Sequence, residues 1–289
     1  MAKDLSLSVD QTTCIKCGKC VRVCPVKIFV QESKDSPVNP EAIENCISCG
    51  HCVAVCPTKS VIHSDFPEEK VHPIDYNQMP APEQVMLLCK ARRSNRAFSR
   101  KPVPKEYHDQ IIEAAHRAPT ASNIQQVSFL LVTDPEKIKL MSEFTLDIFG
   151  KAIKKLENPL LKPILKKVMP DAYKYVPTFK ALQEQYTQGN DMIMRGATSA
   201  LIIYTPKKNR FGIIDCNLAY QNASLMAESL GVSQFYMGFV YSATKQSGGD
   251  KLAELLGLDG TIHAAMAMGM PSFRFPNYID KKDLNLKEL

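Results

Sequence analysis

The sequence predicts an α+β protein in two parts, a small cysteine-rich domain made of two half-repeats followed by a larger domain of mixed helices and strands. Three observations carry this. Cysteine recurs at 14, 17, 20 and 24 and again at 46, 49, 52 and 56. A proline-punctuated stretch without periodicity comes next. Beyond it, apolar residues fall at helical and strand spacings to the end of the chain.

Each cysteine run reads C-x2-C-x2-C-x3-C-P, closed by Pro25 and Pro57. This is the spacing with which two-cluster bacterial ferredoxins hold iron–sulfur cubanes. Three thiolates two residues apart on a tight loop reach three irons of one [4Fe–4S] cube, while the fourth, three residues on, points away from it. The runs therefore trade ligands. Cluster I takes Cys14, Cys17, Cys20 and Cys56, and cluster II takes Cys46, Cys49, Cys52 and Cys24. Pro25 and Pro57 turn the chain out of each loop because neither can continue a helix. Zinc would need tetrahedral pairs set further apart, and disulfides fit these spacings worse. A chain so equipped moves single electrons.

At 289 residues there is room for a small domain and one of ordinary size. The opening MAKDLSLSVD has no apolar stretch of signal-peptide length, and no run is long enough to span a bilayer, so a cytoplasmic protein without a membrane span is expected. The two remaining cysteines, Cys89 and Cys216, sit in helical patterns and read as core residues. The net charge of +6 divides into +1 over residues 1–63 and +5 over the remainder. Each cubane with its four thiolates carries about −2, which makes the loaded first domain acidic. No basic stripe interleaved with aromatics is present, so a nucleic-acid partner is not expected.

The first domain is expected over 1–63, each half-repeat being a short strand, a cysteine loop, a short helix and a strand such as Lys27 to Gln31 or Ser60 to His63. Residues 64–82 hold Pro67, Pro73, Pro80 and Pro82 among charges and read as a semi-extended linker. The second domain is expected over 83–289. A helix starts after Pro82 with Val85, Leu87, Leu88 and Ala91 on its apolar face, and another after Pro104 with Ile111, Ile112 and Ala115. Val127 to Thr133, Ser199 to Thr205 and Thr261 to Met268 are strand-like. Ile213 to Leu230 is a helix stopped by Gly231. Residues 149–188 form a basic insertion whose prolines break amphipathic helices into a lid or interface flap.

Two segments of the second domain carry polar chemistry. Arg92, Arg93, Ser94 and Arg96 gather three guanidinium groups and a hydroxyl at a helix end, and guanidinium forks match phosphate oxygens. Ala118 to Gln125 ends a helix in hydroxyls and amides just before a strand, where amides can address the edge of a heterocycle. In order, RRSNRAF, APTASNIQ, AESLGVSQFYMG and MGMPSFR resemble the four flavin-binding segments of the FMN-dependent nitroreductase family. The resemblance covers about seven tenths of the chain, from Glu83 to Leu289. The whole chain thus resembles a ferredoxin–nitroreductase fusion.

The resemblance implies a three-layer α/β domain with a mixed central sheet, and a homodimer with FMN in the subunit interface. It implies that Arg92, Arg93, Ser94 and Arg96 hold the FMN phosphate and ribityl oxygens, with Arg274 closing on the phosphate. Asn123 and Gln125 would address the pyrimidine edge, and backbone N–H groups at Met237 and Gly238 would lie by the flavin N5. The chain departs from the family where Gln126-Val127 stands for a frequent Pro-Trp and Phe235-Tyr236 for a frequent Cys-Trp.

Cubanes carry one electron each and flavin can pass two together, so the combination converts single electrons into a two-electron reduction. The expected activity is reduction of a small electrophile (a nitroaromatic, quinone or activated alkene), fed by a low-potential ferredoxin-like donor or by NAD(P)H. The alternatives are an electron-transfer adaptor or redox sensor for a protein partner, which predicts a closed pocket, and a flavin-consuming or dehalogenating enzyme. No Ser-His-Asp or paired-carboxylate set stands out. Tyr236 and Tyr241 are possible pocket residues that more often only pack.

Overall fold

The computed structural model describes residues 5–248 and 250–289; the first four residues of the opening segment and Gly249 lie outside these. The described chain divides into two compact units. The first runs to Met79 and includes Ser122–Ile124; the second comprises Pro80–Ala121 and Gln125–Leu289. Among the described residues no helix is long and apolar enough to cross a membrane.

The first unit is two half-repeats. Strand β1 (Leu7–Val9), helix α1 (Lys19–Val23) and the short β2 (Phe29–Val30) form one; β3 (Asn39–Pro40), helix α2 (His51–Ala54) and β4 (Val61–His63) form the other. β1 pairs antiparallel with β4, Leu7 opposite His63, and β2 pairs antiparallel with β3, Phe29 opposite Pro40. The strands are shorter than the apolar runs suggest because each is cut off by a cysteine loop. Leu7, Ile28, Phe29, Val38 and Val61 form a small core together with Cys20 and Cys52. So few apolar side chains make a marginal core, which groups bound to the cysteines would reinforce. The proline-rich segment after His63 contains two single-turn 3-10 helices, Glu68–Lys70 and Tyr76–Gln78, and runs into the second unit at Pro80.

The second unit opens with α3 (Pro82–Ala91) and α4 (Lys105–His116), each started by a proline signal. Strand β5 (Ser128–Val132) leads into α5 (Pro135–Leu156), which Asp134 caps by accepting from the Glu136 amide. Then come α6 (Lys162–Val168), α7 (Val176–Thr187) and β6 (Ser199–Thr205). Helix α8 (Gly212–Ser229), β7 (Ser233–Tyr236), α9 (Gly238–Gln246), α10 (Lys251–Leu255) and β8 (Thr261–Gly269) complete it.

The sheet order is β5-β6-β8-β7. Three layers result from strict side-chain alternation. On β6, Ala200 and Ile202 face a core shared with α5, α7 and α9, while Leu201 and Ile203 face a second core shared with α4 and α8. Leu201, Ile202 and Ile203 are fully buried, each contributing about 1.5–3 kcal/mol of transfer free energy. The three-layer fold expected is found, and among the described residues every strand pair of this sheet is antiparallel. The reason lies in the connections. Val132 at the end of β5 sits opposite Ala200 at the start of β6, and Thr205 at the end of β6 sits opposite Thr261 at the start of β8. Each connection returns the chain to the end it left.

Helix α3 also departs from expectation. It packs against α8, yet none of its residues is buried, and Val85, Met86 and Leu87 are exposed. Its apolar face is directed away from the unit's own core. The insertion is broken as its prolines require, but α5 enters it from Pro135 as one continuous helix to Leu156 before the breaks begin.

Candidate functional site

In the first unit the structure brings the cysteines together in two sets. Cys14, Cys17, Cys20 and Cys56 line one small void of about 20 Å³, and Cys24, Cys46, Cys49 and Cys52 line another of about 10 Å³. The fourth cysteine of each run thus joins the other run's set. Among the described residues no three His, Cys, Asp or Glu side chains converge on a single-ion site. Thiols spread around a void suit a cube with an iron at each alternate corner better than one tetrahedral ion.

The loops repeat their backbone as well as their sequence. Positive φ occurs at Lys16 and Ser48, Gly18 and Gly50, and Lys27 and Lys59, matching positions of the two halves. Such left-handed turns direct amides inward. The amides of Ile28, Ser48 and Ser60 donate to the sulfurs of Cys24, Cys46 and Cys56 at 3.3, 3.4 and 3.3 Å. Burial pushes the Cys52 thiol up to about 11 and also raises Cys20 and Cys46. At Cys56 burial acts in the same sense but is outweighed by the Thr58 hydroxyl and nearby backbone amides, which lower the pKa. His63 adds a side-chain donor. Its Nδ1 accepts from the Asp65 amide at 3.1 Å, which leaves the proton on Nε2, 3.6 Å from the Cys46 sulfur.

The second unit contains a cavity of about 1310 Å³. One wall is the turn from β7 into α9, with Phe235, Tyr236, Met237 and Gly238, together with Arg96. The other is the insertion, through Leu156, Leu165, Met169 and Tyr175. Gly238 starts α9, and a Cβ built on it would meet nothing within 4 Å, so a flat ring can approach the backbone there. The volume exceeds the roughly 300–1,000 Å³ of sites that hold one small molecule. A flavin and a second ring fit its size and its largely apolar lining.

The predicted flavin residues divide into three groups. Arg96, Tyr236, Met237 and Gly238 line the large cavity, and Arg96 sits over the Phe235 ring at 5.6 Å. Arg93 and Arg274 line a separate cavity of about 210 Å³ with Glu228, whose carboxyl is raised by burial against the pull of Arg92, Arg93 and Arg274. Arg92 and Ser94 are half-buried beside them in sequence. Asn123 belongs to the first unit, where its amide nitrogen donates to the carbonyls of Ile47 and Ser48 at 3.0 and 2.8 Å. Only its Oδ1 is left for a ring. Gln125 is exposed with φ 49°, its amide donating to the Thr120 hydroxyl. The Tyr236 hydroxyl donates to the His263 carbonyl at 3.2 Å, and Tyr241 reaches the cavity only through its edge contact with the Tyr236 ring.

Sequence reasoning missed three cations of the large cavity, Lys151, Lys155 and Arg195. It also missed His63 beside Cys46 and the stacking of Phe98 on Phe235. Gly196 marks a turn before a strand in the sequence, but the left-handed φ of 55° at Arg195, which re-aims its side chain, is visible only in the structure.

Comparison with known proteins agrees with this arrangement. Residues 89–270 match the nitroreductase family model, and residues 13–62 match the 4Fe–4S dicluster domain model. An NADPH-dependent oxidoreductase of Staphylococcus saprophyticus is 25% identical over 191 residues, which is 65% of this chain and 65% of that protein. In fold, the chain is similar to a nitroreductase with bound FMN from Desulfitobacterium hafniense (TM-score 0.55, 19% identity, 73% of this chain and 100% of that one). It is likewise similar to a nitroreductase with bound FMN from Bacteroides fragilis (TM-score 0.52, 20% identity, 71% of this chain and 99% of that one). The chain therefore belongs to the nitroreductase family, as an oxidoreductase that carries a 4Fe–4S dicluster domain ahead of the family domain.

Proposed function

We propose that this protein binds two [4Fe–4S] clusters and one FMN and uses single electrons from a low-potential donor to reduce a small electrophile. The observation that carries the reading is the pairing, in one chain, of two four-cysteine voids with a large cavity in the family domain. The cubanes would carry one electron each, and FMN would accept them singly and release them as a pair.

The residues have distinct tasks. The two crossed cysteine sets are the cluster ligands, with cluster domain and family domain joined near 64–82. Arg92, Arg93, Ser94 and Arg274 answer the flavin phosphate, and Arg96 answers the polar edge or ribityl chain. The open backbone at Met237 and Gly238 offers amides to the ring, and the insertion covers the acceptor and excludes water. The open cavity favours a diffusible acceptor over a relay to a protein partner, which needs no such space. A single-electron donor gives the cluster domain a purpose that NAD(P)H alone would not. Eight cysteines kept as thiolates suit a reducing, cytoplasmic location.

A second copy of the chain is the natural cover for the exposed apolar residues of α3 (Val85, Met86, Leu87) and the adjoining α8 (Ile213, Ile214, Leu218). The homodimer is part of the proposal. The test is anaerobic purification followed by iron, sulfide and flavin analysis, with about eight irons and one FMN per chain expected from two cubanes. Mixing with reduced ferredoxin should then bleach the flavin, and a nitroaromatic or quinone should restore its colour. Bound flavin that stays oxidised beside intact reduced clusters would defeat the electron path.

A further inference from the structure

The large cavity is charged in one sense only. Arg96, Lys151, Lys155 and Arg195 line it, and among the described residues no Asp or Glu does. Lys151 is paired with Asp147, but Arg96, Lys155 and Arg195 have no ion-pair partner among the described residues. Asp191, the carboxylate nearest Arg195 in sequence, attracts the guanidinium but makes its side-chain hydrogen bonds elsewhere. It accepts from the Ser142 hydroxyl at 2.6 Å and from the amides of Ile193 and Met194 at 2.8 and 3.0 Å.

Arg195 is held there at a cost. Its φ of 55° lies in the left-handed region, which is unfavourable by about 1–2 kcal/mol for a residue with a Cβ. Its neighbours Ile193 and Met194 are buried and fix the turn. Burial and the like charge of Arg96 both disfavour the charged guanidinium and outweigh the attraction of Asp191. A strained, half-buried cation with no ion-pair partner among the described residues, set in an apolar cavity, suits a site that takes an anion. The flavin phosphate does not account for it, since Arg93 and Arg274 line the other cavity and Arg92 acts on the same Glu228.

We infer that the acceptor is itself an anion, an electrophile with an apolar body whose carboxylate or phosphate is seated by Arg195, with Lys151 and Lys155 adding to the attraction. This rests on the reading of the cavity as the acceptor site of a flavoprotein. A cleft of one sign concentrates such molecules and sheds cationic ones.

The experiment compares 4-nitrobenzoate with 4-nitrobenzamide, which share a ring and nitro group and differ by a charge. Binding to the oxidised, FMN-loaded holoprotein is followed anaerobically by flavin absorbance and by calorimetry at low salt. The carboxylate should bind at least tenfold more tightly, and the preference should shrink as salt rises. Arg195→Gly, which adopts the left-handed turn without strain, should bring the ratio near one. Arg195→Lys should retain part of it. Equal affinity for both probes in the wild type overturns the inference and leaves the flavoprotein reading standing. The inference also fails if Arg195→Gly weakens FMN tenfold while sparing riboflavin, because the seat then serves the cofactor's phosphate. A protein that binds no FMN sinks both.

Discussion

The guanidinium of Arg274 lies where a side chain on Gly231 would stand: a Cβ built there overlaps it, and the glycine has φ 71°. Gly231 ends α8 and turns the chain into β7, so helix stop and arginine seat are one feature. Gly231→Ala should cost about 1–2 kcal/mol from the left-handed backbone alone, plus the displacement of Arg274. Thermal unfolding reads the first part. The second is isolated by a double-mutant cycle with Arg274→Ala, in which the combined variant should lose less than the sum. If the two losses simply add, Arg274 is not held by this contact.

If ligation is crossed as proposed, Cys24 and Cys56 are informative in a way that the other six cysteines are not. Each lies in one run and lines the void of the other. Cys24→Ser should remove or convert the cluster otherwise held by Cys46, Cys49 and Cys52, and Cys56→Ser the one held by Cys14, Cys17 and Cys20. Iron should fall towards about four per chain in each. Low-temperature EPR of the reduced proteins would distinguish the surviving cluster, and the two variants should leave different ones. Identical surviving spectra would mean the runs keep their ligands to themselves.

His63 sets an asymmetry between the two cysteine sets, because its Nε2 proton points at the Cys46 sulfur, and in the other set Cys56 has the Thr58 hydroxyl at 3.7 Å in its place. Hydrogen bonds to cluster sulfur raise the reduction potential. His63→Leu should therefore lower the potential of the Cys46 cluster alone. The expected shift is about 20–60 mV, the one-electron equivalent of a hydrogen bond worth about 0.5–1.5 kcal/mol. A redox titration followed by EPR would detect it, and an unchanged pair of potentials would dismiss the histidine.

Why the sequence disclosed some of this and not the rest has a physical answer. Cluster ligation imposes fixed spacing within a loop, so the eight cysteines and their two prolines are visible without a structure. A short, nearly continuous apolar run marked β6 at Ser199–Thr205, and a long breaker-free stretch stopped by Gly231 marked α8 at Gly212–Ser229, each to within a residue. Sheet direction depends on where connections deliver the chain, which no local pattern records. The exposure of Val85, Met86 and Leu87 is hidden for a related reason, since an apolar stripe reads the same whether it faces its own core or another molecule. Arg195 and the lysines at 151 and 155 converge on one cavity from distant segments, and each alone reads as an ordinary surface cation.

Tyr236 lines the large cavity, but its hydroxyl is engaged with the His263 carbonyl and burial pushes the phenol up to about 12. It can neither donate freely to an acceptor nor ionise near neutrality. Tyr236→Phe should change turnover less than about threefold while costing about 1 kcal/mol of stability, the usual net value of such a bond. The wild-type rate should show no ionisation attributable to it below about pH 10. A large fall in rate with unchanged stability would return the hydroxyl to the reaction.

Two buried histidines give the family domain a calculable sensitivity to acid. His108 hydrogen-bonds the Ser199 hydroxyl at 2.9 Å, and His263 the Thr205 hydroxyl at 3.0 Å. Burial lowers the pKa of both, so the folded state keeps them neutral at a pH where the unfolded chain, titrating near 6.5, already binds protons. With more protons on the unfolded side, stability rises with pH. It is therefore complete above about pH 6.5 and declines below it, by at most about 1.4 kcal/mol per pH unit for each imidazole. His108→Gln keeps a group able to bond Ser199 but cannot take up the proton. Its unfolding midpoint should fall less steeply than the wild type's between pH 6.5 and 5, and comparing the two proteins cancels any acid loss of clusters common to both. Parallel pH profiles would show that His108 is protonated in the folded chain and that its burial is relieved by water.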